Sequence, residues 1–148
     1  MVFNGEEMER SYQVAEDCLY TKDHSWVRLE GKRYAVIGIT DYAQRKLREI
    51  IYVELPNINT RVQKKQPLAT LESVKASTSL YSPITGRVVE VNTDLLDNPE
   101  VINESPYRDG WIVKLEFQNK EELESLLTPD EYQRYVEELE EIGEEAEE

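Results

Sequence analysis

Apolar residues in this chain gather into short runs separated by turn residues, and helical spacing appears only in a few segments. Ser25 to Leu29 and Tyr34 to Ile39 are rich in Trp, Val, Tyr and Ile, with Glu30, Gly31 and Lys32 between them, which predicts a hairpin. Thr40 is placed to cap a short helix over Asp41 to Leu47, and Asp41 sits in the first turn, where the helix dipole favours negative charge. Further short strands are predicted at Ile50 to Leu55, closed by Pro56 and Asn57, and at Thr60 to Val62, Pro67 to Glu72, Ser77 to Tyr81 and Arg87 to Asn92. Tyr52-Val53-Glu54-Leu55 followed by Asn57 echoes Val88-Val89-Glu90-Val91 followed by Asn92, a pattern that suits two similar half-sheets packed face to face. Asp94 to Glu104 is polar, and Asn98-Pro99 favours a turn or short helix there. Trp111, Val113, Leu115 and Phe117 alternate with Ile112, Lys114 and Glu116, which predicts a last strand with one apolar face.

The two ends read differently. Met8, Tyr12 and Ala15 fall at helical spacing, so residues 1–18 are expected to form an arm or short helix. Asn119 is placed to cap a segment whose Leu123, Leu126 and Leu127 share a face. Thr128, Pro129 and Glu131 make a capping box with Pro at the first helical position, opening a helix that buries Tyr132, Tyr135, Val136 and Leu139. Residues 140–148 are expected to be an acidic, disordered tail.

Length and charge narrow the function classes. A chain of 148 residues fits one domain with a real core. Its formal charge is -14, and eight glutamates fall in residues 137–148, so the remainder carries -6. Such acidity repels phosphate backbones and anionic lipid, which argues against a nucleic-acid or membrane partner. One cysteine, Cys18, cannot form an intramolecular disulfide, and with a single histidine, His24, there is no metal cluster to build. Cys18 reads as a small buried hydrophobe. The acidic start resembles neither a secretory nor a mitochondrial presequence and no apolar run is long enough to span a bilayer, so a reducing, bacterial-type cytoplasm is expected.

No phosphate-binding glycine loop, nucleophile elbow or Cys–His pair stands out, so no catalytic residue is assigned and the chain is not expected to be an enzyme. The informative stretch runs from Leu68 to Tyr81, with Pro67 before it and Pro83 after. Two strand-like runs flank Lys75, which puts this amine at or beside a hairpin tip. Acylation there would remove a charge and lengthen an already flexible stem into a mobile arm.

Glu72-Ser73-Val74-Lys75-Ala76 followed by Tyr81-Ser82-Pro83-Ile84-Thr85-Gly86 resembles the lipoylation segment of glycine cleavage system H proteins. Tyr20 to Val27, Ile37 to Gln44, Tyr52 to Pro56, Asp97 to Glu100 and Ser105 to Trp111 resemble that family's other blocks in order and spacing. The likeness extends from Leu19 to Leu139, the expected carrier domain. It implies a mostly β fold, a lipoyl/biotinyl-type sandwich flanked by short helices and a C-terminal helix, with lipoate in amide linkage to Lys75. Biotin fits less well, because biotin carriers place Met on both sides of the lysine and the neighbours here are Val74 and Ala76. A lipoyl domain of a 2-oxo acid dehydrogenase also fits less well, since long linkers and a catalytic domain do not follow. By the same resemblance Glu72, Val74 and Ala76 are read by a lipoyl-attaching enzyme, although Glu72 can equally be a solvated carboxylate at a strand end. The implied partners are glycine decarboxylase, an aminomethyltransferase and dihydrolipoamide dehydrogenase, with the carrier itself a monomer that performs no catalysis.

The resemblance also implies an arm cleft at Asp23, His24, Ser25 and Ser79. The family has carboxylates at the positions of Ser25 and Ser79, where they hold the protonated amine of an aminomethyl cargo. A charge-assisted hydrogen bond is worth about 1.5–3 kcal/mol and one to a neutral hydroxyl nearer 1, so the two serines imply weaker retention of a cation. Asp23, two residues from Ser25, would compensate if strand alternation held there. The alternative is a lipoate-binding relative that carries sulfur for a heterodisulfide-reductase-like oxidation system. His24 reads either as a satisfied structural side chain beside Trp26 or as part of the cleft. Arg48 and Lys65 stand where the family favours glycine.

Overall fold

A computed structural model describes residues 12–147, with side chains described through Gly143. Among the described residues, strands build two antiparallel sheets. The larger has the order β1 (Leu19–Tyr20), β2 (Ser25–Glu30), β3 (Tyr34–Ile39), β9 (Val113–Glu116), β8 (Gly86–Val91) and β5 (Arg61–Val62). The smaller has β4 (Ile50–Glu54), β6 (Pro67–Ser73) and β7 (Ser77–Tyr81) in that order, with β7 an edge strand. Val27, Ala35, Ile37, Val88 and Leu115 of the larger sheet meet Val53, Leu71 and Leu80 of the smaller in one buried core, so the molecule is a β sandwich. The two echoing segments found in the sequence lie one in each sheet, in β4 and β8.

The hairpin β2–β3 forms as expected, with Gly31 at φ +65° in its turn, where a Cβ would be strained. Helix α1 covers Asp41–Leu47, and the Thr40 hydroxyl accepts from the Ala43 N–H at 3.2 Å. Asp94–Asp97 (α2) and Val101–Glu104 (α3) are single helical turns on either side of Asn98 and Pro99. Thr128 and Glu131 close the anticipated capping box at 2.9 and 3.2 Å, opening α4 at Pro129.

A second apolar cluster lies between the larger sheet and α4. Trp26, Tyr20 and Val36 pack there on Tyr107, Tyr132 and Val136, and the rings of Tyr20 and Tyr132 stack at 4.5 Å. The Trp26 indole N–H donates to Pro106 O at 2.9 Å. Gly38 makes room for this ring, because a Cβ there would lie 2.7 Å from it.

Several expectations need correction. Met8 and residues 1–11 lie outside the described residues, whereas Tyr12 to Ala15 contain no helix. They form an arm held by its backbone: Gln13 N–H donates to Asp41 Oδ2 at 2.9 Å, and Gln13 O accepts from the Tyr107 hydroxyl at 2.6 Å. Leu123, Leu126 and Leu127 do not share a helical face, since a 3₁₀ helix ends at Ser125. Leu123 and Leu126 enter the main core, whereas Leu127 pairs with Tyr20 and packs on the second cluster. The last strand begins at Val113; before it the alternation breaks, with Ile112 in the main core and Trp111 against the other cluster. Instead of a disordered tail from residue 140, α4 continues to Glu147. Glutamate is a good helix former, and Glu140 is fastened to the body by Lys46 Nζ at 2.8 Å and the Tyr12 hydroxyl at 3.3 Å.

Candidate carrier site

Lys75 lies in the three-residue connection between β6 and β7 and is exposed. A tip of this kind forms because Ser73, which ends β6, satisfies it locally. The Ser73 hydroxyl donates to Ala76 O at 3.1 Å and accepts from the N–H groups of Lys75 at 3.1 Å and Ala76 at 3.0 Å. Ser73 N–H closes the turn on Ala76 O at 2.8 Å. The Ser73 side chain therefore holds the turn from which Lys75 leaves the sheet. It carries no charge and lies inside the motif, so only its position at the turn, where serine mimics a backbone turn, signals that role.

Two contacts tie this tip to the end of α1. Val74 N–H donates to Glu49 O at 3.0 Å, and Lys75 Nζ donates to Lys46 O at 3.4 Å. Lys46 in turn pairs with Glu140 at 2.8 Å and lies over the Tyr42 ring. Val74 is 58% exposed, so the residue beside Lys75 presents apolar surface to whatever approaches the tip.

Elements α1 and β7 both run from Lys75 toward His24 and Ser25. At the far end of α1, Thr40 N–H donates to His24 O at 3.0 Å; at the far end of β7, Tyr81 O accepts from the Ser25 hydroxyl at 3.0 Å. Ser79 lies midway along β7, half-buried and opposite Thr70, which is itself opposite Glu54. Glu72 is exposed and pairs with Tyr52 and Ser77 in the row nearer the tip. Side chains directly opposite in antiparallel strands share a face, so Glu54, Glu72, Ser77 and Ser79 all stand on the outer face of the smaller sheet. At about 3.3 Å per residue, Ser79 is roughly 7 Å along β7 from Ser77, the first strand residue after the tip.

The residues expected to form a cleft therefore divide. Ser25 is 1% exposed and its hydroxyl is committed to Tyr81 O, which stitches the two sheets together. Asp23 lies in a turn ahead of β2, not in the strand, so alternation does not place it with Ser25; it is exposed. His24 has φ 68° and sits against Tyr42, Tyr132 and Tyr135 rather than Trp26, with Nδ1 2.9 Å from the Tyr132 hydroxyl. That hydroxyl also meets Thr40 Oγ1 at 2.7 Å. Desolvation by this packing lowers the His24 pKa, against the opposing pull of Asp23, which favours the neutral ring. Burial pushes the Cys18 thiol up to about 12, which disfavours the thiolate and fits a packed hydrophobe. Arg48 and Lys65 both have positive φ, 68° and 75°, which is the physical reason glycine suits those turns.

Comparison with known proteins shows what this architecture is. The family described as Glycine cleavage H-protein matches residues 18–139. The chain belongs to that family. It is 46% identical over 127 residues to the glycine cleavage system H protein of Halothermothrix orenii, covering 86% of this chain and 98% of that one. It is 48% identical over 124 residues to that of Xylella fastidiosa, covering 84% and 95%. The crystal structure of a glycine cleavage system H protein from Mycobacterium marinum superposes with a TM-score of 0.73 at 31% identity, covering 80% of this chain and 95% of the other. The fold is thus a lipoyl-type β sandwich, and the function is that of the family, a lipoyl carrier in the glycine cleavage system that is not catalytic in itself. Family members carry lipoate on a lysine.

Proposed function

We propose that Lys75 is the lysine that carries lipoate, in amide linkage through Nζ. The observation that carries this reading is the exposed β6–β7 tip, where Lys75 projects from a turn fixed by Ser73 within the segment that resembles the family's lipoylation sequence. The chemistry of the tip fits the group. Amide formation between Nζ and the lipoate carboxyl leaves one N–H on the nitrogen, and Lys46 O is already the acceptor that nitrogen meets. Glu72, Val74 and Ala76, all exposed around Lys75, are the surface an attaching enzyme would read. When bound, lipoate supplies a disulfide that accepts an aminomethyl group with two electrons and is later reoxidised as a dithiol.

In this reading the protein shuttles aminomethyl groups from glycine decarboxylase to the aminomethyltransferase, and dihydrolipoamide dehydrogenase restores the disulfide. Its own residues supply the path. An arm attached at Lys75 would be guided by α1 and β7, which both lead from the tip toward His24 and Ser25, and Ser79 stands along β7. Since Ser25 is spent on Tyr81, retention of a cationic cargo falls to other groups: exposed Asp23 near His24, and half-buried Ser79 with the carboxylates on its face of the sheet. The sulfur-carrying alternative is not favoured, because the matched family and relatives bear glycine cleavage names. A cytoplasmic setting and a monomeric carrier belong to the same proposal, supported by family membership.

Intact mass of the protein made in its own host should show one lipoyl group. Incubating that form with glycine, glycine decarboxylase and pyridoxal phosphate should then give an aminomethyl adduct. Failure to form the adduct, with the same decarboxylase active on another H protein, would refute the glycine-cleavage reading.

A further inference from the structure

Arg48 and Glu49 connect α1 to β4, and this connection carries an acceptor for the carrier tip: Glu49 O takes the Val74 N–H. One side chain holds this connection from both sides of Glu49. Asn103, half-buried on α3, donates from Nδ2 to Gln44 Oε1 and to Arg48 O, both at 2.8 Å, and its Oδ1 accepts from Ile50 N–H at 2.9 Å. Both amide hydrogens and the carbonyl are thus committed to three points on one short segment. Arg48, within it, has φ 68° and ψ -152°, a region occupied almost solely by glycine. A backbone in that conformation persists only where surrounding bonds impose it, and the Asn103 amide supplies one such bond at Arg48 O itself.

We infer that Asn103 is a positioning residue for acylation of Lys75, acting through the Arg48–Ile50 turn and Glu49 on the Val74–Lys75 tip. The inference rests on Lys75 being the acylated lysine. Asn103 bonds not Lys75 but Gln44, Arg48 O and Ile50 N–H, and so braces the connection whose Glu49 O meets the tip, next to the helix whose Lys46 O faces Nζ. The acylating enzyme must bring the amine onto an activated carboxyl, and misplacement of a reacting group on the scale of an ångström lowers turnover steeply. Loss of the brace should therefore depress kcat for attachment while leaving recognition of the exposed tip, and hence KM, nearly unchanged.

The test uses Asn103→Ala and Asn103→Asp in the full chain. Asp is nearly isosteric and keeps an acceptor for Ile50 N–H, but it has no donors and repels Gln44 Oε1 and Arg48 O. Two quantities are read: hydrogen exchange at Val74 against amides of β3 and β9, and steady-state lipoylation of Lys75 by a lipoyl-attaching enzyme. Both variants should exchange Val74 roughly tenfold faster than wild type with the core strands unchanged. Both should lose several-fold in kcat with KM altered less than about twofold. Unchanged Val74 exchange, or faster exchange with unchanged kcat, would overturn the inference; so would wild-type behaviour of Asn103→Asp, which would reduce the role to the Ile50 bond. If wild-type protein itself were not acylated at Lys75, the carrier assignment would fail instead, and the exchange measurement would still decide whether the brace exists.

Discussion

Replacing Arg48 by glycine should stabilise the protein, and the magnitude follows from the backbone. At φ 68° and ψ -152° a residue with a Cβ is strained by about 1–3 kcal/mol. Glycine removes that strain but gains freedom in the unfolded chain, which costs about 0.4–1 kcal/mol. Both hydrogen bonds of the residue, N–H to Gln44 O and O from Asn103 Nδ2, are backbone bonds that glycine retains, and the arginine side chain is exposed. The net expectation is a gain of about 1 kcal/mol, or a rise in Tm of about 2–4 °C for a chain of this size. Thermal and urea unfolding of wild type, Arg48→Gly and Arg48→Ala read it directly. Alanine keeps the Cβ and should melt near wild type. If alanine gained as much as glycine, the arginine side chain and not the backbone would be responsible, and the strain argument would be refuted.

Two other outcomes follow from local geometry. Gly86→Ala should destabilise by about 1–3 kcal/mol in urea unfolding, because its Cβ would lie 2.5 Å from Glu116 O in the neighbouring strand β9; a neutral substitution would contradict that close approach. The His24 pKa is lowered by folding from an ordinary value of 6.5, so the unfolded chain binds the proton more readily just below that pH and wild-type stability falls as pH drops through it. Stability of His24→Gln should lack this component, so the gap between the two proteins should narrow between about pH 7.5 and 5.5; parallel curves would argue against a desolvated imidazole.

The sequence exposed elements whose signals are local. Thr40 announces α1 and Thr128-Pro129 with Glu131 announces α4, because capping chemistry needs only neighbouring residues. The β2–β3 hairpin is legible for the same reason, and Lys75 is legible because strand-like runs bracket it. What remained hidden depends on partners distant in the chain. The two-residue β1 carries too little pattern to read and exists through pairing with β2 and Leu127. Ser25 looked available until the edge of β7 came beside it, and the hold of Asn103 on residues 44 to 50 crosses more than fifty positions. The reach of α4 past residue 140 depended on Lys46 and Tyr12 meeting Glu140, which composition alone cannot show. The positive φ values at Arg48 and Lys65 were foreshadowed by the glycines the family favours there.

The most direct test of the carrier reading is peptide-level mass mapping of the protein purified from its own host, paired with Lys75→Arg tested for glycine-dependent growth of that host. The account predicts one lipoyl group, confined to the peptide containing Lys75, and loss of growth on glycine in the variant. An unmodified Lys75, a lipoyl group on another lysine, or a Lys75→Arg protein that sustains glycine cleavage unaided would contradict it.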